Sequence, residues 1–375
     1  MRAWTIANAP SAELIEQLSY LRHAKRNGIE RRLSRRGRHV SRSVAGDRIA
    51  FRCDGNERIG AGHVARCLPL AAAFAHLGWR VSFVGTYEGL AGWLLARAKI
   101  QARDASPDSS CGIYAECYDA VIIDSYAIAP ESICDLARRL PLATIAEANR
   151  CPTCGVLLDY HLDRVEPSNS RLLAGPSYAP LDPALAGSGR PAKQIGKVLV
   201  TVGGSLAARE LLGPIASMSS SVFADAHILL AGGAKSETTD ANMPRVIQLP
   251  SPSALLDVLP DIDLAITTAG LSAYELACAG IPQLAIAIAD NQRRVLEGLN
   301  NSGLAPVLDL TGGDSLAQLP AALELLRDPG LRRRLAVHGR KMFDGQGARR
   351  AAIALTELYL AASAEERYPK ARPDS

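Results

Sequence analysis

Residues 48–68, RIAFRCDGNERIGAGHVARCL, carry the pattern that decides the fold. The apolar run at residues 48–53 predicts a buried strand, and the polar, glycine-rich residues 54–62 predict a turn. The apolar spacing that begins at His63 predicts a helix, which Gly78 ends. A strand, a glycine-rich turn and a helix in this order are typical of the first unit of a parallel α/β sheet.

The same alternation continues in two blocks, which are separated by a stretch whose composition, AGSGRPAK at residues 186–193, indicates a linker. Further strands are predicted at residues 80–84, 120–124, 142–145 and 156–159, and then at residues 197–202, 226–230, 246–249, 264–267 and 283–288. Strands that alternate with helices predict parallel sheets covered on both faces. We therefore expect an α/β fold of two doubly wound lobes with a ligand cleft between them.

The expected domain organisation follows from these blocks. It consists of a basic N-terminal extension at residues 1–47, a first lobe at residues 48–188, a second lobe at residues 189–347, and a C-terminal helix and tail at residues 348–375. The basic run at residues 22–48 is compatible with binding to nucleic acid or to an anionic membrane. Its composition is more typical of a poorly ordered terminal extension, which is the interpretation we prefer.

The composition excludes several classes of function. The chain has 375 residues, of which 48% are hydrophobic, 21% charged and only 5% aromatic, and its net charge is +4. These values offer no aromatic platform for single-stranded nucleic acid. The sequence shows neither a secretory signal pattern nor an apolar run of about 18 residues. We therefore expect a cytoplasmic monomer with no nucleic-acid partner and no stable membrane insertion.

The eight cysteines are scattered along the chain, and we expect reduced thiols, as in most cytosolic enzymes. Cys151 and Cys154 have the CxxC spacing of zinc and redox sites, and His161 lies seven residues further on. A structural zinc site needs a second pair of ligands at a suitable spacing, which the sequence does not show. We therefore expect no metal, with zinc or redox chemistry at this pair as the alternative.

His63 is the candidate catalytic residue, because it lies in the first turn of a predicted helix at the carboxyl end of a strand. The positive end of the helix favours the neutral imidazole, which can accept a proton. Gly60 and Gly62 allow a ligand to approach the backbone closely, and Asp54 and Arg66 flank this turn as candidate substrate-binding residues. The alternative is a histidine that only caps its own helix, and a GxG pattern alone does not decide between the two.

Two further strand–turn–helix junctions have the shape of phosphate-binding turns. Their candidate ligand-binding residues are Gly203, Gly204 and Ser205 at the first junction, and Ala269, Gly270, Leu271, Ser272 and Glu275 at the second. Glu275 lies one turn into its helix, where its carboxylate is placed to accept hydrogen bonds from ribose hydroxyls. Both junctions have a structural alternative, since serine is a good helix N-cap and a carboxylate is favourable in a first helical turn.

Polar residues follow two other strands at the edge where the cleft is expected. Asn291 and Gln292 come after the strand at residues 283–288, and Tyr126 comes shortly after the strand at residues 120–124. We predict that these three side chains contact the substrate. The alternatives are a capped helix start for Asn291 and Gln292, and a loop-filling side chain for Tyr126.

The order of these motifs resembles the UDP-sugar hydrolases of the pseudaminic-acid pathway, which act on UDP-2,4-diacetamido-2,4,6-trideoxy-β-L-altropyranose. The resemblance covers residues 49–310, and its most specific parts are the glycine–histidine block and residues 269–292. It implies a GT-B fold of two Rossmann-like lobes, as in the MurG-type transferases. The chain departs from the family pattern at Ser125, where the family usually has histidine.

The resemblance also implies an activity. The second lobe would bind the UDP of a UDP-sugar substrate, and His63 on the first lobe would activate water for attack on the anomeric carbon with inversion. Such an enzyme needs neither a metal nor a cofactor, and it would serve nonulosonic-acid or surface-glycan biosynthesis. The main alternative is a GT-B glycosyltransferase that uses a UDP-sugar donor and an acceptor hydroxyl in place of water. A further alternative is a nucleotide-sugar-binding protein without activity.

Overall fold

The computed structural model describes residues 44–56, 59–103, 117–145, 154–164, 171–189, 193–202, 206–232, 245–249, 258–312 and 315–364. The expectations for the basic extension up to residue 43, for Cys151 and for the candidate turn at Gly203, Gly204 and Ser205 lie outside these residues.

The first lobe is built on a parallel seven-stranded sheet with the strand order β3-β2-β1-β4-β5-β6-β7. Its strands are β1 (Arg48–Cys53), β2 (Arg80–Val84), β3 (Gln101–Arg103), β4 (Ala120–Asp124), β5 (Leu142–Ile145), β6 (Val156–Asp159) and β7 (Leu172–Ala174). The strand order reverses between β1 and β4, which makes this a doubly wound sheet with its ligand-binding edge at the carboxyl ends.

The second lobe repeats this plan with a parallel six-stranded sheet in the order β10-β9-β8-β11-β12-β13. Its strands are β8 (Lys197–Thr201), β9 (His227–Ala231), β10 (Val246–Gln248), β11 (Leu264–Thr268), β12 (Gln283–Ala287) and β13 (Val307–Asp309). The order reverses between β8 and β11, so each lobe has its own switch point. The prediction of two doubly wound α/β lobes is confirmed.

Helices cover the two sheets. They are α1 (Gly62–His76), α2 (Gly89–Ala98), α3 (Pro130–Ala137), α4 (Leu206–Val222), α5 (Leu271–Ala279), α6 (Arg293–Asn301), α7 (Leu319–Leu325), α8 (Pro329–Met342) and α9 (Gly347–Ala364). Among the described residues, no helix combines the length and the apolar character that crossing a bilayer requires.

Three strands were missed in the sequence, namely β3, β7 and β13. Each has only three residues, and β3 is exposed along its whole length. A strand this short shows no usable periodicity, so its pairing with a neighbouring strand decides its structure.

The last helix crosses back to the first lobe, which the sequence did not reveal. The indole Nε1 of Trp79 donates a 3.1 Å hydrogen bond to Oγ1 of Thr356, and the hydroxyl of Tyr359 donates to Oδ2 of Asp47 at 2.8 Å. The Trp79 and Tyr359 rings also pack with centroids 4.7 Å apart. The chain therefore runs from the first lobe through the second and closes on the first, which fixes α9 against α1.

One cysteine pair differs from the expectation of reduced thiols. Cys134 on α3 and Cys154 just before β6 form a disulfide with a Cα–Cα distance of 5.2 Å. Cys53, Cys67, Cys117 and Cys278 are free, so the expectation is wrong only for this pair among the described residues. The cause is tertiary, since the fold brings two positions that are 20 residues apart within bonding distance.

Candidate active site

The candidate site begins at the carboxyl edge of the first sheet, where β1 and β4 end side by side. The strand register pairs Cys53 with Asp124, so the turn that follows β1 lies next to the last residue of β4. Helix α1 starts at Gly62, directly after this turn, and carries His63 in its first turn. His63 therefore lies at the edge of the sheet where open α/β folds bind their ligands.

Asp124 holds His63 and Arg66 together in one buried group. The Nδ1 atom of His63 lies 2.8 Å from Oδ1 of Asp124. Arg66 donates from Nε to Oδ2 at 2.5 Å and from Nη2 to Oδ1 at 2.6 Å, the fork geometry of strong arginine–carboxylate pairs. Desolvation alone would raise the pKa of Asp124, but the Arg66 guanidinium and the His63 ring hold that pKa well below its usual range. The carboxylate is therefore ionised.

The ionised carboxylate selects the tautomer of the neutral His63 ring. If Nδ1 carries the proton, it donates to Asp124, and the Nε2 lone pair is available. The opposite tautomer would place the Nδ1 lone pair 2.8 Å from an anionic oxygen, and a donated bond from Arg66 Nη2 at 3.0 Å only partly offsets that repulsion. Within the described residues no group hydrogen-bonds to Nε2, so nothing in that part of the chain competes with a substrate for this nitrogen.

The His63 residue is buried, with 5% of its surface exposed, and its ring packs against Tyr126. The half-exposed Tyr126 ring meets it edge-on, with centroids 4.9 Å apart and planes at 89°. Gly60 has a φ of +75°, a conformation that favours glycine. A Cβ atom added at Gly60 or at Gly62 would meet no atom of the described residues within 4 Å, so that part of the chain leaves room for a ligand to approach the backbone of this turn.

Asp54 holds neighbouring loops together through its carboxylate, and its contact with the substrate stays a prediction. Its Oδ1 accepts from the Thr86 backbone N–H at 3.0 Å and lies 2.7 Å from Nη1 of Arg52. Its Oδ2 accepts from the Ser125 hydroxyl at 3.1 Å. Asp54 therefore joins the loops after β1, β2 and β4, and Ser125 takes part in this structural network.

On the second lobe, the turn between β11 and α5 presents an uncapped helix start. Gly270 is the N-cap residue of α5 and has an extended backbone conformation. Because glycine has no side chain, it cannot cap the helix with a side-chain hydrogen bond. Within the described segments, a Cβ atom added at Gly270 would meet no atom within 4 Å. Among the described residues, the backbone N–H groups of Leu271 and Ser272 have no protein acceptor, while Ala269 lies buried at the end of β11. Free N–H groups at a helix start are suited to an anionic ligand.

Glu275 lies one turn further along α5, and the pKa of its carboxyl is raised. Desolvation raises the pKa of its carboxyl to about 7, the Ser272 hydroxyl opposes this shift, and the negative charge of Asp182 adds to it. A carboxyl that titrates near neutral pH beside an uncapped helix start is typical of a functional site.

Asn291 and Gln292 lie in a 3₁₀ turn that follows β12 at the carboxyl edge of the second sheet. Asn291 is exposed, whereas the side-chain carbonyl of Gln292 accepts a 2.9 Å bond from the Ile288 N–H. Gln292 thus stabilises its own turn through Oε1, in line with the capping alternative, and it retains its amide NH₂ group for a ligand.

The structure contains a second aspartate–histidine–arginine group that the sequence analysis missed. Asp159, the last residue of β6, accepts from Nδ1 of His161 at 2.8 Å and from Nε of Arg164 at 2.5 Å. The signal was present, since Asp159 ends a buried strand just as Asp124 does. His161 drew attention only as a possible zinc ligand, and within the described residues no cluster of metal-ligating side chains occurs.

Comparison with known proteins supports the fold. No family model matches the sequence. The spore coat polysaccharide biosynthesis protein SpsG of Bacillus subtilis (strain 168) is 26% identical over 205 residues, which are 51% of this chain and 60% of that protein. The glycotransferase of kitacinnamycin superimposes with a TM-score of 0.60 at 16% identity, over 84% of this chain and 99% of its own.

Two other solved structures have the same architecture. Acinetobacter baumannii MurG gives a TM-score of 0.58 at 17% identity, over 83% of this chain and 100% of its own. The glycosyltransferase SsfS6 of Streptomyces sp. SF2575, complexed with thymidine diphosphate, gives a TM-score of 0.51 at 13% identity. This match covers 81% of this chain and 99% of SsfS6. The fold is GT-B. The predicted MurG-like architecture is thereby confirmed, whereas membership of the pseudaminic-acid hydrolases receives no support from these comparisons.

In the GT-B frame, the candidate residues divide between the carboxyl edges of the two sheets. The first edge carries His63, Arg66, Tyr126, Gly60 and Gly62. The second edge carries Ala269, Gly270, Leu271, Ser272, Glu275, Asn291 and Gln292.

A cavity of about 590 Å³ lies elsewhere, at the amino ends of the first-lobe strands. Its lining includes Ile49, Trp79, Leu142 and Tyr359, and the Cys134–Cys154 disulfide borders it. Its lining contains none of the candidate site residues.

Proposed function

We propose that this protein is an inverting glycosyltransferase that uses a UDP-sugar as donor and a hydroxyl-bearing acceptor. The observation that carries the proposal is the His63–Asp124 pair, in which a buried, ionised carboxylate fixes an imidazole beside an open glycine turn. The GT-B fold supports it, because solved structures of glycosyltransferases share that fold. The expected alternative of sugar transfer thus has better support than the hydrolysis that the family resemblance implied.

The proposed reaction is a single displacement. The acceptor oxygen attacks the anomeric carbon as the bond from that carbon to the diphosphate oxygen breaks, so the configuration inverts. The acceptor proton passes to Nε2 of His63, and the Asp124 carboxylate stabilises the imidazolium that forms. Arg66 keeps Asp124 oriented and ionised through its two hydrogen bonds.

The leaving diphosphate would bind at the start of α5. The backbone N–H groups of Leu271 and Ser272 and the positive end of the helix stabilise its negative charge. Glu275 would accept hydrogen bonds from the ribose hydroxyls, and we propose Gly203, Gly204 and Ser205 as further diphosphate contacts. Asn291, Gln292 and Tyr126 would contact the sugar.

The name of the Bacillus subtilis relative supports a place in surface-polysaccharide biosynthesis. The SsfS6 structure holds thymidine diphosphate, so thymidine is the alternative to uridine as the nucleoside of the donor. Binding of uridine and thymidine diphosphate, compared by calorimetry, tests whether uridine is preferred.

The deciding experiment follows nucleotide release from UDP-sugars with and without candidate acceptor glycans. Release that requires an acceptor supports transfer, whereas equal release without one would establish hydrolysis. His63→Ala should lower kcat by about 10²-fold or more and leave UDP binding within about twofold. His76→Ala, at the exposed end of the same helix, is the matched control and should retain full turnover. Full activity of the His63 variant would refute the assigned base.

A further inference from the structure

Asp159 lies at the same edge of the first sheet as Asp124, with only β5 between their strands. Neighbouring strands are about 4.8 Å apart, so the two aspartates are separated by roughly 10 Å. The Asp159 side chain is fully buried and accepts from His161 and Arg164 of its own lobe. Burial of a carboxylate is unfavourable unless cations and hydrogen bonds compensate it, so such a group has a structural or functional reason.

The third partner of Asp159 comes from the other lobe. Arg294, in the first turn of α6, donates from Nη2 to Oδ2 of Asp159 at 3.0 Å. The same guanidinium makes a two-pronged contact with Asp163, from Nε to Oδ2 and from Nη2 to Oδ1, both at 2.9 Å. Arg294 thus joins two carboxylates of the first lobe, more than 130 residues earlier in the chain, to the second lobe.

The segment between Asp159 and Asp163 also packs closely against the second lobe. A Cβ atom added at Gly298 of α6 would lie 3.0 Å from Cβ of Leu162, so glycine permits this close approach. The Tyr160 ring meets the Tyr274 ring of α5 edge-on at 6.1 Å. The contact therefore involves both α5, whose first turn carries proposed nucleotide contacts, and α6, which directly follows the turn that carries proposed sugar contacts.

Arg294 follows Gln292 by two residues, so its contacts with Asp159 and Asp163 attach the chain to the first lobe directly after the Asn291–Gln292 turn. The arginine is held by carboxylates on the lobe that carries His63. Isolated surface ion pairs contribute little, but here one carboxylate is fully buried and the guanidinium contacts two carboxylates at once.

We propose that Arg294, Asp159 and Asp163 form an interlobe clamp that positions the Asn291–Gln292 turn opposite His63. The clamp acts through these other residues, so Arg294 is a positioning residue. This inference rests on the proposed function for its effect on turnover, but the clamp itself is independent of the reaction.

The test compares Arg294→Ala, Arg294→Lys and Arg293→Ala. Arg293 is the matched control, because it is the neighbouring residue of the same helix and pairs with Asp309 inside the second lobe. Arg294→Ala should lower kcat at saturating donor by about tenfold or more, since small misplacements in an active site have effects of this size. Its affinity for UDP should stay within about twofold, and Arg294→Lys should be intermediate, because lysine restores the charge without the fork.

Amide hydrogen exchange provides a readout that does not depend on turnover. In Arg294→Ala, exchange should accelerate both at residues 159–163 and at residues 288–296, whereas Arg293→Ala should leave residues 159–163 unchanged. Asp163→Asn, at an exposed side chain, repeats the test without removing the buried carboxylate. Unchanged exchange in Arg294→Ala, or equal losses of kcat in the two alanine variants, would overturn the clamp. If the wild-type protein turns over no nucleotide-sugar, the proposed function fails while the exchange data still decide the clamp.

Discussion

Glu275→Gln should stabilise the protein above neutral pH and weaken nucleotide binding. Desolvation raises the pKa of Glu275 to about 7 from its ordinary value of 4.5, so the folded state favours the neutral carboxyl. Between those two pH values the folded protein binds more protons than the unfolded chain, and the free energy of unfolding therefore falls as the pH rises. Above pH 7 the folded protein bears the full penalty of an ionised, poorly solvated carboxylate.

The magnitude follows from the shift. A difference of 2.5 between the two pKa values corresponds to about 3 kcal/mol, and partial access of this side chain to water makes that an upper limit. Glutamine cannot ionise, so the variant should gain up to about 3 kcal/mol relative to the wild type at pH 8, and this pH-dependent part of the gain should vanish near pH 4.5.

Urea unfolding of both proteins at pH 5 and at pH 8 measures this difference. Glu297→Gln on the exposed face of α6 removes the same charge from the surface and corrects for the change in net charge. In parallel, the affinity of the wild type for UDP should rise as the pH increases through 7, because the ionised carboxylate is the better acceptor for ribose hydroxyls. A stability gain at pH 8 no larger than at pH 5 would refute the desolvation argument, and a pH-independent affinity for UDP would refute the ribose contact.

Four other substitutions probe the site and its scaffold. Asp124→Asn should lower kcat by about 10²-fold or more with little effect on UDP affinity, because the amide neither fixes the His63 tautomer nor stabilises the imidazolium; steady-state kinetics and calorimetry check this. Gly85→Ala should destabilise by at least about 2 kcal/mol in urea unfolding, since its Cβ would lie 1.9 Å from the Cys53 carbonyl oxygen. Gly60→Ala should lower the free energy of unfolding by only about 1 kcal/mol, because alanine is strained at the positive φ of this position. Cys134→Ser should lower the free energy of unfolding by about 3 kcal/mol, as expected for a cross-link spanning 20 residues. A reducing agent should destabilise the wild type by the same amount and leave the variant unchanged.

The pattern of apolar residues along the sequence predicts most of the strands and helices. Parallel strands that are buried on both faces, such as β4 and β11, appear as continuous apolar runs, and each one predicted was found. The edge strands β3, β7 and β13 and the return of α9 to the first lobe were not predicted, because pairing and packing between distant segments decide them. The Trp79–Thr356 hydrogen bond, for example, joins residues 277 positions apart and leaves no local signature.

The candidate site was predictable in its parts but not in its pairings. His63 and Glu275 each follow a strand and a glycine-containing turn, which is a local pattern. The partnership of His63 with Asp124 depends on β1 and β4 being neighbours with Cys53 opposite Asp124, and strand order cannot be read from the chain. The same limitation explains why the contacts of Asp54 with Thr86 and Ser125 were not predicted, since these partners lie on other loops.

The two aspartate–histidine–arginine groups have matching distances, so their surroundings must decide which histidine can act as a base. Around Asp159, Arg294 of the other lobe occupies the carboxylate as well, and the His161 ring stacks on Tyr160 with planes only 10° apart. His63 and His161 are buried to a similar extent, with 5% and 6% of their surface exposed. Around Asp124, however, the partners among the described residues belong to one lobe, and the His63 ring meets the half-exposed Tyr126 edge-on next to Gly62, where an added Cβ would meet no described atom within 4 Å. A proton acceptor must reach its substrate, whereas an interlobe contact must exclude it. The first environment therefore suits catalysis and the second suits fixation of the lobes, which is why we place the base at His63 and the clamp at Asp159.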